Sequence, residues 1–187
     1  MKRIFAIIAV LTLALCGCSN SPADNGTGLA IDVPEGAELF DNIMGLKGYV
    51  VNVSEAGGEW YERVYHADMD GEDVVIGESF GYGDPADYIV DLYGDGVPEL
   101  VCNCTFGGDG VQRVYVYQLV DGAVQVGTVV QEDWTEGYTG PGTAIAEAYL
   151  PDDECFTVSY PGADGNPVES FFSVDDLVWN AYEPSEG

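Results

Sequence analysis

Residues 112–130 read QRVYVYQLVDGAVQVGTVV. Two β-rich runs, Gln112 to Val120 and Ala123 to Val130, flank Asp121-Gly122. A two-residue type I′ turn needs positive φ at both central positions, which Asp-Gly supplies, so the stretch predicts an antiparallel hairpin. The same punctuation recurs on either side. Trp60 to Ala67 and Asp73 to Ser79 flank Asp70-Gly71. Asp87 to Tyr93 and Glu99 to Phe106 flank Asp95-Gly96. Thr143 to Leu150 and Cys155 to Tyr160 flank Pro151-Asp152-Asp153, and Val168 to Ser173 follows Asp164-Gly165. Tyr49 to Val53 alternates weakly, and Val174 to Tyr182 fits either a helical turn or a last strand.

Upstream, Ala37, Leu39, Phe40, Ile43 and Met44 fall near helical spacing, with acids in the first turn and Gly45 near the end. Glu35 to Leu46 therefore predicts a short helix. The expectation is a mainly β domain over residues 35–182. It is an antiparallel meander of hairpins that forms a barrel, a two-sheet sandwich or a propeller-like fragment, with that one short N-terminal helix. No helix long enough for a parallel crossover separates the strands. Residues 183–187 read as a frayed tail.

The amino terminus carries a different signal. Lys2 and Arg3 precede an apolar run from Ile4 to Leu15, broken only by Thr12. It is shorter than the roughly 20 residues a membrane-spanning helix needs, and it suits the core of a secretory signal peptide. The run ends in Leu15-Cys16-Gly17-Cys18: an aliphatic residue at −3, a small one at −1, then a thiol able to form a thioether. This resembles the lipobox of bacterial lipoproteins. The resemblance implies cleavage of residues 1–17, lipid on Cys18, and a location in the bacterial cell envelope outside the cytoplasm. Ser19 to Pro34, rich in Ser, Asn, Gly, Asp and Pro, completes an expected flexible tether over residues 18–34.

Cleavage before Cys18 would remove 17 of the 187 residues and leave 170, enough for one domain. That segment keeps Lys47, Arg63 and Arg113 against 33 acids, a formal charge of −30. Such a field repels nucleic acid and anionic polymers and attracts metal cations and basic proteins. Yet 47% of residues are hydrophobic, with 12 Tyr, 7 Phe and 3 Trp, so the chain can build a core. Three cysteines remain beyond Cys18. Cys102 and Cys104 share a strand face with Leu100 and Phe106, whereas Cys155 alternates with Thr157 and Ser159 on a more polar face. The mismatch favours free thiols over a bridge from Cys155 to either partner.

One loop carries chemistry. Asp91-Leu92-Tyr93-Gly94-Asp95-Gly96-Val97-Pro98-Glu99 places acids at positions 1, 5 and 9, Gly at 6 and the Val97 carbonyl at 7. Calcium takes six to eight oxygens, which a tight loop supplies from alternate positions around a glycine. Asp91, Asp95, Val97 and Glu99 are thus the candidate ligands. Set between two strands, the loop resembles the calcium loops of FG-GAP and VCBS-type repeats, and the likeness extends loosely from Tyr88 to Gly127. It implies a β-meander or propeller-like blade and an adhesive or binding role. Tyr93 departs from the Asp or Asn of that pattern, and Cys102 occupies position 12.

Catalytic signatures are sparse. His66 is the sole histidine, so any Ser-His or Cys-His mechanism must pass through it. There is no Gly-x-Ser-x-Gly elbow, and Cys102-x-Cys104 is too close-spaced for a zinc knuckle. Most aromatics, including Tyr61, Tyr65, Tyr115 and Tyr117, read as core and cross-strand pairs. Trp134 and Tyr138, in the expected loop Gln131 to Gly142, are the candidate ligand contacts. The functional expectation is a non-enzymatic surface-binding lipoprotein, with calcium as its candidate stabilising ion, whose partner is an envelope protein or glycan. The alternatives are a structural envelope module that docks another protein and, further off, a carboxylate-based glycoside hydrolase.

Overall fold

A computed structural model of the chain describes residues 28–54, 60–106, 111–129, 146–161, 164 and 166–184. It is mainly β. Strands β1 (Glu38–Ile43), β2 (Leu46–Ser54), β3 (Trp60–Met69) and β4 (Glu72–Tyr82) form one antiparallel sheet in the order β1-β2-β3-β4. A second sheet takes β5 (Ala86–Val90), β6 (Glu99–Phe106), β7 (Val111–Val120), β8 (Ala123–Thr128), β9 (Ala146–Leu150), β10 (Cys155–Pro161), β11 (Pro167–Phe172) and β12 (Val178–Ala181). Its main path runs β11-β10-β9-β7-β6-β5, with β8 bridging β7 to β12. Every pairing is antiparallel except a single parallel contact of Gln112 with Ala146. Neither sheet closes into a barrel among the described residues.

The hairpin signals have a direct structural origin. Asp70 and Gly71 have φ of 57° and 86°, and Asp121 and Gly122 have 51° and 78°, as a type I′ turn requires. Asp95-Gly96 differs: only Gly96 of the pair is positive, and residues 91–98 form a longer loop.

The expected helix over Glu35–Leu46 is not formed. Its residues make β1 and the start of β2, joined by Met44-Gly45 at φ of 57° and 76°. The helix-like spacing of Phe40 and Ile43 arises from a register shift between them. In a regular strand they would face opposite ways. An irregularity that inserts a residue brings both to the core side, and so mimics an i, i+3 stripe. The turn is fixed from outside: Met44 and Ile43 are buried, and the Met44 N–H donates to the Pro98 carbonyl at 2.7 Å. Leu29 and Ile31 fall in the stretch read as tether. They are nevertheless buried against Tyr49, so the packed body begins ahead of β1.

The two sheets share a core. Ile43, Met44, Val50, Tyr65, Ala67 and Ile76 meet Leu100, Cys102, Cys104 and Tyr117. The other face of β6 and β7 is also covered, where Val101, Val114 and Val116 pack with Tyr149, Phe156, Val158 and Leu177. β6 and β7 are therefore buried on both faces, which is why Leu100 to Cys104 and Val114 to Tyr117 are apolar almost without alternation. After β11 the chain makes a 3-10 turn at Val174–Asp176, capped reciprocally by Ser173 and Asp176, before β12. Opposite β12, Gly127 leaves room for the Trp179 ring, which would lie 2.9 Å from a Cβ there. Among the described residues no helix is long and apolar enough to cross a membrane.

Candidate functional site

The Asp91–Glu99 loop joins β5 to β6 and is organised by its own acids. Asp91 accepts the Asp95 N–H on Oδ1 at 3.0 Å and the Gly96 N–H on Oδ2 at 2.8 Å. Asp95 Oδ1 accepts the Val97 N–H at 2.9 Å, and Glu99 Oε2 accepts the Leu92 N–H at 2.9 Å. Positive φ at Gly94 and Gly96 permits the curl. Asp91 and Asp95 are exposed and Glu99 is buried. Burial raises the Glu99 carboxyl above its ordinary value; the Leu92 N–H opposes the rise, and Asp95 and Asp91 add to it. Among the described residues no group of three or more His, Cys, Asp or Glu side chains is arranged to hold a metal ion. Cys18, Trp134 and Tyr138 lie outside the described residues.

Two concavities were not expected from the sequence. The larger, about 430 Å³, lies between β4 and the β7–β8 hairpin with the segment after β12. Phe80, Tyr115, Tyr117 and Tyr182 line it together with Val126 and Ala181, and Glu78 and Glu183 supply carboxylates. The Tyr117 and Tyr182 rings meet at 78° with centroids 5.1 Å apart. Tyr117 donates its hydroxyl to the Glu78 carbonyl at 2.9 Å, and the Tyr182 N–H donates to the Val124 carbonyl at 3.1 Å. Both phenols keep their protons far into alkali. Burial is the main cause for each, with the Glu78 charge second for Tyr182. The alternation of Tyr115 and Tyr117 is visible in the chain. Phe80 and Tyr182, 102 positions apart, have no local pattern that would join them to it.

The smaller concavity, about 240 Å³, is polar and includes Tyr61, Tyr82, Asp84, Asn103, Gln112 and Glu147. It holds two carboxylates in unlike settings, the arrangement a hydrolase needs. Glu147 is already committed, however: one oxygen pairs with Arg113 and the other accepts the Val114 N–H at 3.1 Å. Its carboxyl is nonetheless raised, because burial outweighs both partners.

Several other titratable groups have structural contacts. Asp87 on β5 reaches into the first sheet, accepting from Arg63 Nη1 at 2.9 Å, Tyr65 Oη at 2.6 Å and Ser79 Oγ at 2.6 Å. His66 stacks on Tyr49 with centroids 4.7 Å apart, and its Nδ1 lies 2.9 Å from Asp73 Oδ1. Asp73 also accepts the Tyr49 hydroxyl at 2.7 Å. Cys102, Cys104 and Cys155 are free thiols, the first two within the core between the sheets.

The charge ledger of the surface follows from these pairs. Arg63 serves Asp87 and Glu38, Arg113 serves Glu147, and Lys47 lies 4.0 Å from Asp41. Arg63 and Arg113 are thereby closely paired with carboxylates of the same chain, while the Lys47 side chain stays 63% exposed. Compared with known protein families, curated proteins and solved structures, the chain matches none.

Proposed function

We propose that this chain is an exported bacterial lipoprotein, anchored through lipid on Cys18, whose β domain binds a cationic partner outside the cytoplasm without catalysis. The observation that carries the reading is the excess of acid: Arg63 and Arg113 are tied to carboxylates of the same chain, and Lys47 is the one Lys or Arg beyond residue 18 that stands exposed. With 33 acids against three cations, the surface is left strongly anionic. Such a surface concentrates positively charged molecules and repels anionic ones. The anchor rests on the Leu15-Cys16-Gly17-Cys18 pattern and the apolar run before it. Stable attachment takes more than one acyl chain, which a lipidated N-terminal cysteine can carry.

Calcium enters this reading through the Asp91–Glu99 loop, whose carboxylates would have to turn to the ion from the backbone amides they now accept. Asp91, Asp95, the Val97 carbonyl and Glu99 would be its ligands, and the cation would relieve the repulsion that Asp91 and Asp95 exert on Glu99. The likeness to FG-GAP and VCBS-type loops supports the same assignment, as does the position of the loop between two strands.

Two measurements test the proposal. Mass spectrometry of the N-terminal peptide from bacterial membranes should find diacylglyceryl-modified Cys18, and Cys18→Ala should move the protein out of the membrane fraction. A thermal-shift panel of cationic, neutral and anionic small molecules should stabilise the protein through its cationic members, with an effect that fades as salt rises. An unmodified residue 18, or a panel dominated by anionic or neutral compounds, would overturn it.

A further inference from the structure

We infer that the cleft between β4, the β7–β8 hairpin and the segment after β12 is a binding site for a small organic ammonium ion whose nitrogen carries alkyl groups. This assignment rests on the cationic-partner reading above and narrows it to one place and one ligand chemistry. Four aromatic side chains, Phe80, Tyr115, Tyr117 and Tyr182, contribute to the walls, and no lining residue is basic. An aromatic ring is electron-rich on its face, so a cation placed over several rings is attracted by each. Tyr117 and Tyr182 meet edge to face; Tyr117, 3% exposed, backs the cleft from the core, and the half-buried Tyr182 stands nearer the surface. Glu78 and Glu183 add negative charge to the same lining. Hydrogen bonds from Tyr117 Oη to the Glu78 carbonyl and from the Tyr182 N–H to the Val124 carbonyl hold the walls to their neighbours. Little ordering is then left for the ligand to impose.

Other ligand classes fit less well. An anion would meet two carboxylates within an anionic field. Calcium needs six to eight oxygens, and most of this lining is hydrocarbon or ring. A bare ammonium would give up a strong hydration shell for walls that offer two carboxylates but are otherwise mostly ring and hydrocarbon. An alkylated ammonium is weakly hydrated and apolar outside, so it loses little water and gains both ring and carboxylate contacts. A volume of about 430 Å³ accommodates a trimethylammonium head with room beyond it.

Calorimetric titration of the full chain with choline chloride, and separately with its uncharged carbon isostere 3,3-dimethylbutan-1-ol, tests the proposal. Choline should bind at least roughly tenfold more tightly than the isostere. Glu183→Gln, at an exposed position, and Tyr182→Leu should each weaken choline several-fold, while Tyr182→Phe should retain it. Melting curves establish that each variant is folded, and if Tyr182→Leu is not, Glu183→Gln alone carries the comparison. Equal affinity for the isostere would mark a plain apolar pocket and overturn the proposal. So would choline binding that neither Glu183→Gln nor a folded Tyr182→Leu reduces, or no choline binding at millimolar concentrations. If choline fails while another cation stabilises the protein in the panel, only the ammonium assignment falls. If no cation does, the broader reading falls with it.

Discussion

Asp87 and Arg63 stand in different sheets and are joined side chain to side chain, Oδ2 to Nη1, at 2.9 Å. The Asp87 side chain is 4% exposed and that of Arg63 18%. Tyr65 and Ser79 donate hydroxyl hydrogens to the same carboxylate, and the Arg63 guanidinium lies 5.3 Å from the centre of the Tyr65 ring. Arg63 Nε also donates to Asn52 Oδ1 at 2.9 Å. One carboxylate from the second sheet thus satisfies three donors of the first. Asp87→Ala would leave the Tyr65 and Ser79 hydroxyls without their acceptor and Arg63 with only Glu38 and Asn52, at a cost of about 1–3 kcal/mol. Denaturant unfolding measures this. The double variant Asp87→Ala/Arg63→Met should lose less than the two single losses combined, because each single change already removes the contact between the two side chains. A loss under about 1 kcal/mol for Asp87→Ala would mean that the pair does little to hold the sheets together.

The pair also marks where reading the chain stops being informative. The hairpins were legible because Asp70-Gly71 and Asp121-Gly122 encode their turns in adjacent residues. The shared face of Cys102 and Cys104 was legible from strand alternation, and both sit in the core between the sheets. The β1–β2 hairpin was not, because the shift between Phe40 and Ile43 imitates helical spacing and Met44 takes positive φ under a bond from Pro98, 54 residues away. The aromatic cleft was invisible for the same reason: Phe80, Tyr115 and Tyr182 converge only once the sheets have paired. For the Asp91–Glu99 loop the sequence located the acids, but not that their carboxylates bond the loop's own amides.

Tyr149 offers a substitution that should do no harm. It is 2% exposed, packed against Tyr88 and Phe156, and its hydroxyl has no hydrogen-bond partner among the described residues. An unsatisfied buried hydroxyl costs about 1–3 kcal/mol, so Tyr149→Phe should be neutral or stabilising by up to roughly 1 kcal/mol. Tyr65→Phe should do the opposite, since it removes a donor from the buried Asp87 carboxylate. Equal destabilisation by both would show that the Tyr149 hydroxyl has a partner in the native protein.

Acidification should strengthen the fold before it weakens it. Glu99 and Glu147 both have carboxyls raised above the ordinary 4.5, burial being the first cause in each. A raised acid holds its proton more tightly folded than unfolded. Between 4.5 and the raised value the native state therefore binds more protons, and stability falls as pH rises through that window. Lowering pH from neutrality towards 4.5 should accordingly raise the unfolding midpoint. Glu99→Gln, which keeps an acceptor for the Leu92 N–H, should be at least as stable as the parent at neutral pH and should flatten part of the slope. A midpoint that drops steadily on acidification would contradict the burial of these two acids.

Calcium can be tested apart from the cleft. Calorimetry at millimolar calcium should register binding to the full chain that Asp91→Ala abolishes, since Asp91 would supply oxygens and ties down the Asp95 and Gly96 amides. Asp164→Ala, another acid beside a glycine, should leave calcium binding unchanged. Heat that survives Asp91→Ala would move the ion elsewhere, and no heat at all would remove calcium from the functional reading.

The three described thiols should differ sharply in reactivity. The thiolate is the nucleophile in alkylation, so burial protects a cysteine twice, by blocking the reagent and by holding on to the proton. Cys102 is fully buried and its thiol is pushed well above the ordinary 9.0; burial raises Cys104 to about 11. Cys155 is only partly buried; burial, then Asp153 and Glu169, raise its thiol as well. Native alkylation followed by peptide mapping should label Cys155 first, with Cys102 and Cys104 modified only at the rate of unfolding and together. Because both line the core between the sheets, fast labelling of either in the native protein would mean that the two sheets part without global unfolding. A disulfide linking Cys155 to Cys102 or Cys104 would require the Cys155 thiol to reach the face of β6 turned to the first sheet, and would overturn the packing described for Cys102 and Cys104.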